Sequence, residues 1–169
     1  MVTMLGLKIY RILTFILLPI EALFGLMALF MLVASLGNLA ALLPVFMLSC
    51  TVIYVFASFL FLNKGIQQAK PISPSLKHWI RVNGIVSLVF CMLSLFQFVT
   101  LLLQPEIMQQ FYKQAISTQQ QVQGLTPQNF EKFIKGVLYF MLTYAILLLV
   151  HIFFTFRFLQ QYEHIFDDE

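Results

Sequence analysis

The chain has 169 residues, of which 60% are hydrophobic and 10% charged, with a formal net charge of +3. Soluble domains are about half apolar and about a quarter charged, so this sequence has too little polar surface to cover a water-soluble globule. That excludes an ordinary cytosolic enzyme or nucleic-acid-binding domain and points to the membrane. Three uncharged runs carry the same message: Ile12 to Asn63, broken only by Glu21, then Val82 to Pro105, then Gly136 to Phe156. A spanning helix needs about 20 mostly apolar residues, and the first run holds two, divided by the turn signal "SLGN" at Ser35 to Asn38. The sequence therefore predicts an all-α membrane protein, a single four-transmembrane-helix bundle.

Helix 1 is predicted over about 9–34, preceded by Lys8 and followed by Arg11 within its first turn. A basic start before an apolar run also resembles a signal peptide, with "VAS" at Val33 to Ser35 as a cleavage site. The run is longer than the ~7–15 residues of a signal h-region, which favours a retained span. Pro19 has no amide hydrogen to donate and leaves the carbonyl of Phe15 without its helical partner. A kink is expected there, just before Glu21. Helix 2 follows over about 39–62, close enough in sequence to make an antiparallel hairpin with helix 1.

The loop "NKGIQQAKPISPS" comes next, and its Gly and Pro residues are expected to end helix 2. Ser73 and Pro74 form an N-cap and first-position pair, leading into helix 3 over about 79–103. The segment 104–124 is rich in glutamine, yet Ile107, Met108, Phe111, Tyr112, Ala115 and Ile116 recur at helical spacing. That pattern predicts an external amphipathic helix, either on the membrane surface or folded back on the bundle. Thr126 and Pro127 then start helix 4, over about 127–158 and longer than a bilayer requires.

With four spans, the termini and the second loop share one side, which carries Lys8, Arg11, Lys64, Lys70, Lys77, Arg81 and Arg157. The other side has only Lys113, Lys132 and Lys135, offset in part by Glu106 and Glu131. The positive-inside rule then gives an N-in/C-in protein, as in a bacterial inner membrane. Trp79 sits beside Lys77 and Arg81, where an interfacial anchor belongs. Anionic headgroups are the expected partners of Lys64, Lys70, Lys77 and Arg81, and no basic patch outside these flanks suits nucleic acid. A homo-oligomer or protein partner would engage residues 104–131.

Each span carries a polar or small stripe at three- and four-residue spacing. These are Thr14, Leu18, Glu21, Gly25 and Ala28 in helix 1, and Thr51, Tyr54 and Ser58 in helix 2. Helix 3 has Asn83, Ser87, Cys91, Ser94 and Gln97, and helix 4 has Tyr144, Leu148, His151 and Thr155. In lipid, helices associate through small residues and interhelical hydrogen bonds. Thr51, Ser58, Asn83, Ser87, Ser94 and Gln97 are accordingly predicted as interhelical packing groups, with Phe and Leu facing lipid. Cys50 and Cys91 fall inside spans and read as small buried hydrophobes.

Glu21 is the costly residue. At ~1.5 Å per residue it lies ~15 Å beyond Arg11, near the middle of a ~30 Å core. An acid at that depth is by default a functional-site hypothesis, and the structural alternative is a protonated carboxyl giving one hydrogen bond to a neighbour. Tyr54, counted from Lys64, reaches the same depth and is the predicted partner. Tyr144 lies about a turn further out and His151 about a turn nearer the basic side, and these four make up the candidate ion- or proton-binding set. His151 has no second histidine at i+3 or i+4 and no nearby carboxylate, so no metal site is predicted. His78 lies at the membrane edge and offers no second axial ligand for haem, so no cofactor is expected. No nucleophile elbow, glycine-rich phosphate loop or HExxH is present, which argues against an enzyme.

A glutamate in the first of four helices resembles the small multidrug-resistance exporters, which exchange protons on such an acid. Those chains are shorter with tight loops, so the long external segment departs from their pattern. Two functions follow from these readings. One is a non-catalytic accessory or scaffold subunit, and the other is a small proton- or cation-coupled transporter or channel built on Glu21.

Overall fold

The computed structural model describes residues 4–104, 106–110, 113 and 127–166. They are almost entirely helical, with no strand among the described residues. Four helices are long and apolar enough to cross a membrane. They are α1 (Met4–Ala34), α2 (Leu39–Leu60), α3 (Pro74–Leu103) and α4 (Pro127–Gln161). Of the external segment, 106–110 is helical and Met108 is buried, whereas residues 111–112 and 114–126 lie outside the described residues.

The helix boundaries follow from local chemistry. Asn38 caps α2, its side-chain oxygen accepting from the Ala40 amide at 3.1 Å. Ser73 does the same for α3, accepting from the Ser75 amide at 3.3 Å one residue before the predicted Pro74 start. α1 stays helical through Pro19 and α2 through Pro44.

One expectation is corrected. Gly65 does not end α2, because the helix continues as a π-helical extension, Phe61–Gln67. Gly65 is buried, and a Cβ there would come within 2.5 Å of the Ile72 side chain. Its lack of a side chain therefore serves close packing rather than a turn. The extension stops instead at Ala69, whose φ of 49° is left-handed. The Lys70 amide closes back on the Lys64 carbonyl at 3.1 Å, in the manner of a Schellman cap widened by one residue.

The chain forms two compact units, Met1–Phe90 with Leu147–Glu169, and Cys91–Ile146. In the first, α1 and α2 pack directly on one another, as their short connection requires. Gly25 lets them approach, since a Cβ there would stand 3.3 Å from Val52. Gly84 plays the same part on α3, its Cβ position lying 3.0 Å from Phe156 and 3.2 Å from Tyr54. Small residues at such crossings are the usual means of close helix approach in lipid.

The second unit is apolar at its centre. Leu101, Met108 and Leu138 form a buried cluster, and a Glu131–Lys135 ion pair at 2.8 Å lies exposed nearby on α4. Many large side chains are exposed along the four helices, among them Leu23, Phe30, Phe96 and Phe153. Faces this apolar suit lipid and not water.

Candidate functional site

The polar residues of the first unit converge on His151. Residues three and four apart share a face of a helix, so α1 presents Tyr10 and Thr14 together and α4 presents His151 and Thr155 together. Tyr54 comes from α2. All five are fully buried. Thr14 Oγ1 lies 3.0 Å from His151 Nε2, and the Tyr54 hydroxyl lies 2.9 Å from His151 Nδ1. The imidazole therefore bridges α1 and α2 from its position on α4. Tyr54 also donates to Thr155 Oγ1 at 2.7 Å. The Tyr10 ring stacks on the imidazole at 4.9 Å and meets Phe158 at 5.0 Å. Its hydroxyl makes longer contacts, 3.4 Å to both the Ser58 carbonyl and Thr155 Oγ1.

Counting protons shows what this knot can do. Thr14 donates to the Tyr10 carbonyl at 2.8 Å and Thr155 to the His151 carbonyl at 2.8 Å. Each threonine thus has only a lone pair left for the cluster. Tyr54, once it donates to Thr155, has the same. The two ring nitrogens then face two acceptors, and a neutral imidazole carries one N–H. A single hydroxyl must turn toward the ring to complete the set. The cluster can thus reverse the direction of its hydrogen bonds by hydroxyl torsion alone, with no heavy atom moving. Both ring nitrogens are hydrogen-bonded in this arrangement. Among the described residues, no group of three His, Cys, Asp or Glu side chains is placed to hold a metal ion.

The other sequence-predicted residues separate into three sets. Glu21 is fully buried on α1, and the face continues through buried Ala28 past the Gly25 crossing. Thr51, Ser58, Asn83 and Ser87 are buried. Three of them, however, donate within their own helices rather than across: Thr51 to Leu48, Asn83 to Trp79 and Ser87 to Asn83, at 2.7 to 2.8 Å. Short polar side chains in apolar surroundings satisfy themselves this way on the preceding turn. Tyr144 is buried and Ser94 half-buried, both in the second unit. Gln97 is exposed. It sits six residues from the end of α3, ~9 Å along the axis, where a long amide reaches toward the interface.

Tyr10 is the member that sequence reasoning missed. It extends the Thr14 stripe back by one turn, and that periodicity is the signal that could have found it. Its neighbours Lys8 and Arg11 mark it instead as part of the charged edge.

A second cluster forms where α4 ends. A 3₁₀ turn, Glu163–Ile165, brings the chain back to the loop before α3. There the Ile72 amide donates to the Ile165 carbonyl at 3.1 Å. Phe166 stacks on Phe61 at 5.4 Å, with the Lys77 ammonium 5.7 Å from its ring centre. Lys77 also pairs with Glu163. That hydrogen bond, then the Lys77 charge, holds the Glu163 carboxyl below the usual carboxylate range.

Comparison of the chain with family models, with curated proteins and with solved structures finds no match.

Proposed function

We propose that this chain is a small, non-catalytic integral membrane protein acting as an accessory or scaffold subunit of a membrane complex. The observation that carries the reading is the use of its intramembrane polar groups. Thr14, Tyr54, His151 and Thr155 bond to one another across α1, α2 and α4, which is what helix association in lipid demands. The distribution of Lys and Arg supports an N-in/C-in orientation, with the glutamine-rich segment on the outside as an amphipathic contact surface. A bacterial inner membrane is the setting proposed for that arrangement. The test is purification in a mild detergent, with size measured for the full chain and for a deletion of residues 104–124. A larger assembly that the deletion dissolves supports the reading, and a lone monomer in both cases overturns it.

The second reading is proton- or cation-coupled transport on Glu21. It is favoured by one observation, that this acid is fully buried within an apolar span, where an ionisable group is expensive to keep. Purified protein in liposomes distinguishes the two readings. Proton or cation flux well above empty vesicles, abolished by Glu21→Gln, supports transport. Equal background flux from wild type and variant rules it out.

A further inference from the structure

An elongated groove of about 420 Å³ runs between α2 and α3 within the first unit. Phe46, Ile53, Val82 and Val86 line its length, and His78 and Trp79 line one end. From His78 to Val86 the groove follows α3 for about 12 Å, most of the ~15 Å depth of one leaflet's acyl layer. Its dimensions suit a hydrocarbon chain.

The end marked by His78 and Trp79 is also the basic end of these helices. Arg81 stands one turn from His78 on α3 and is exposed, as are Lys64 and Lys70 in the extension and loop that precede α3. Lys77 is paired with Glu163, and Arg81 also bears on that carboxylate, so one acid stands against four cations at this end. α3 begins here with no acid in its first turn, so its N-terminal dipole has the same sign as the cations. Trp79 is 56% exposed, as suits an indole at the headgroup level. From this match of apolar length and charged end we propose that the α2–α3 groove binds one anionic phospholipid. An acyl chain lies along Val82 and Val86, and the headgroup phosphate meets Arg81 and His78.

Native mass spectrometry of the full chain tests this, with phosphatidylglycerol and phosphatidylcholine added separately as probes. Two exposed positions are varied, Val82→Trp to fill the groove and Arg81→Gln to remove the charge. Circular dichroism and melting confirm that each variant is folded. Wild type should retain phosphatidylglycerol about fivefold better than phosphatidylcholine, the scale of one cation against an anionic headgroup. Arg81→Gln should bring the two lipids to parity, and Val82→Trp should reduce both. Equal retention of the two lipids by wild type overturns the proposal. So does retention that neither folded variant changes, which is annular lipid, or a Val82→Trp effect that consists of dissociating a dimer, which makes the occupant a second copy of the chain.

Discussion

The His151 knot and the Phe166 clasp both tie α4 to helices earlier in the chain, and they use different chemistry to do it. The knot is built from hydroxyls and an imidazole, with no ion pair. Two threonines, two tyrosines and an imidazole exchange hydrogen bonds with every member fully buried. The clasp uses an ion pair, with the Glu163 side chain more than half exposed, beside the buried, stacked rings of Phe61 and Phe166. The difference follows from the solvent each one meets. Lipid offers no hydrogen bonds, so polar groups at that depth must satisfy each other, and a charged pair there would lose more in desolvation than it regains. At the end of α4 water screens the charges and tolerates them, and the same chemistry is correspondingly weaker. The clasp should respond to salt and pH where the knot does not, and the two should respond very unequally to truncation.

The largest effect is expected at the knot. His151→Ala removes both bridging hydrogen bonds and the partner of the Tyr10 ring, and leaves a cavity among buried side chains. Intramembrane hydrogen bonds average ~0.6 kcal/mol each and core truncations cost ~2–5 kcal/mol, so a loss of about 3 kcal/mol is expected. It would be read as a lowered melting temperature in detergent, unchanged between low salt and 0.5 M salt. A loss that shrinks strongly with salt would mean that the knot is electrostatic, and the contrast with the clasp would collapse.

Phe166→Ala should cost less, about 2 kcal/mol, because the ring is buried but sits on a short turn that can close over the gap. Its effect is local. Hydrogen exchange should quicken at the Ile72 amide, which donates to the Ile165 carbonyl, while the amides around His151 keep their protection. Uniform loss of protection along α4 would show that the clasp and the knot are one cooperative unit.

The spans, the hairpin of α1 and α2 and the Ser73–Pro74 start of α3 were legible because each depends on local sequence: twenty apolar residues, a turn, a cap. The knot was legible only in pieces. Thr14, Tyr54, His151 and Thr155 each fall on a predicted stripe, but periodicity reports the face of one helix and says nothing of the rotation between helices. That rotation brings His151 to Tyr54 and Thr14, and a lone histidine with no ligand partner in sequence gave no reason to expect a hub. Gly65 misled for a related reason. A glycine beside charged residues signals a helix stop, while its close approach to Ile72 is a tertiary fact. The clasp was hidden by composition, because the ring that anchors it, Phe166, stands directly beside the acids Asp167, Asp168 and Glu169, and a run of acids signals a solvated segment.

The smallest effect belongs to Glu163, and it distinguishes the clusters by their sensitivity to pH and salt. Lys77 holds its folded carboxyl below the ordinary value of 4.5. A depressed carboxylate contributes stability that is fully present above the unfolded value and is lost as pH falls through the folded one. The protection factor of the Ile72 amide, which corrects for intrinsic exchange, should therefore be flat from pH 8 to about pH 5 and fall below that. Salt should lower it even at neutral pH, since the pair is exposed and screened. In Glu163→Gln both dependences should vanish, leaving the Phe61–Phe166 stack to hold the turn alone. The same acid-induced fall in the variant would assign the titration to another group and leave the clasp an aromatic contact with an incidental ion pair.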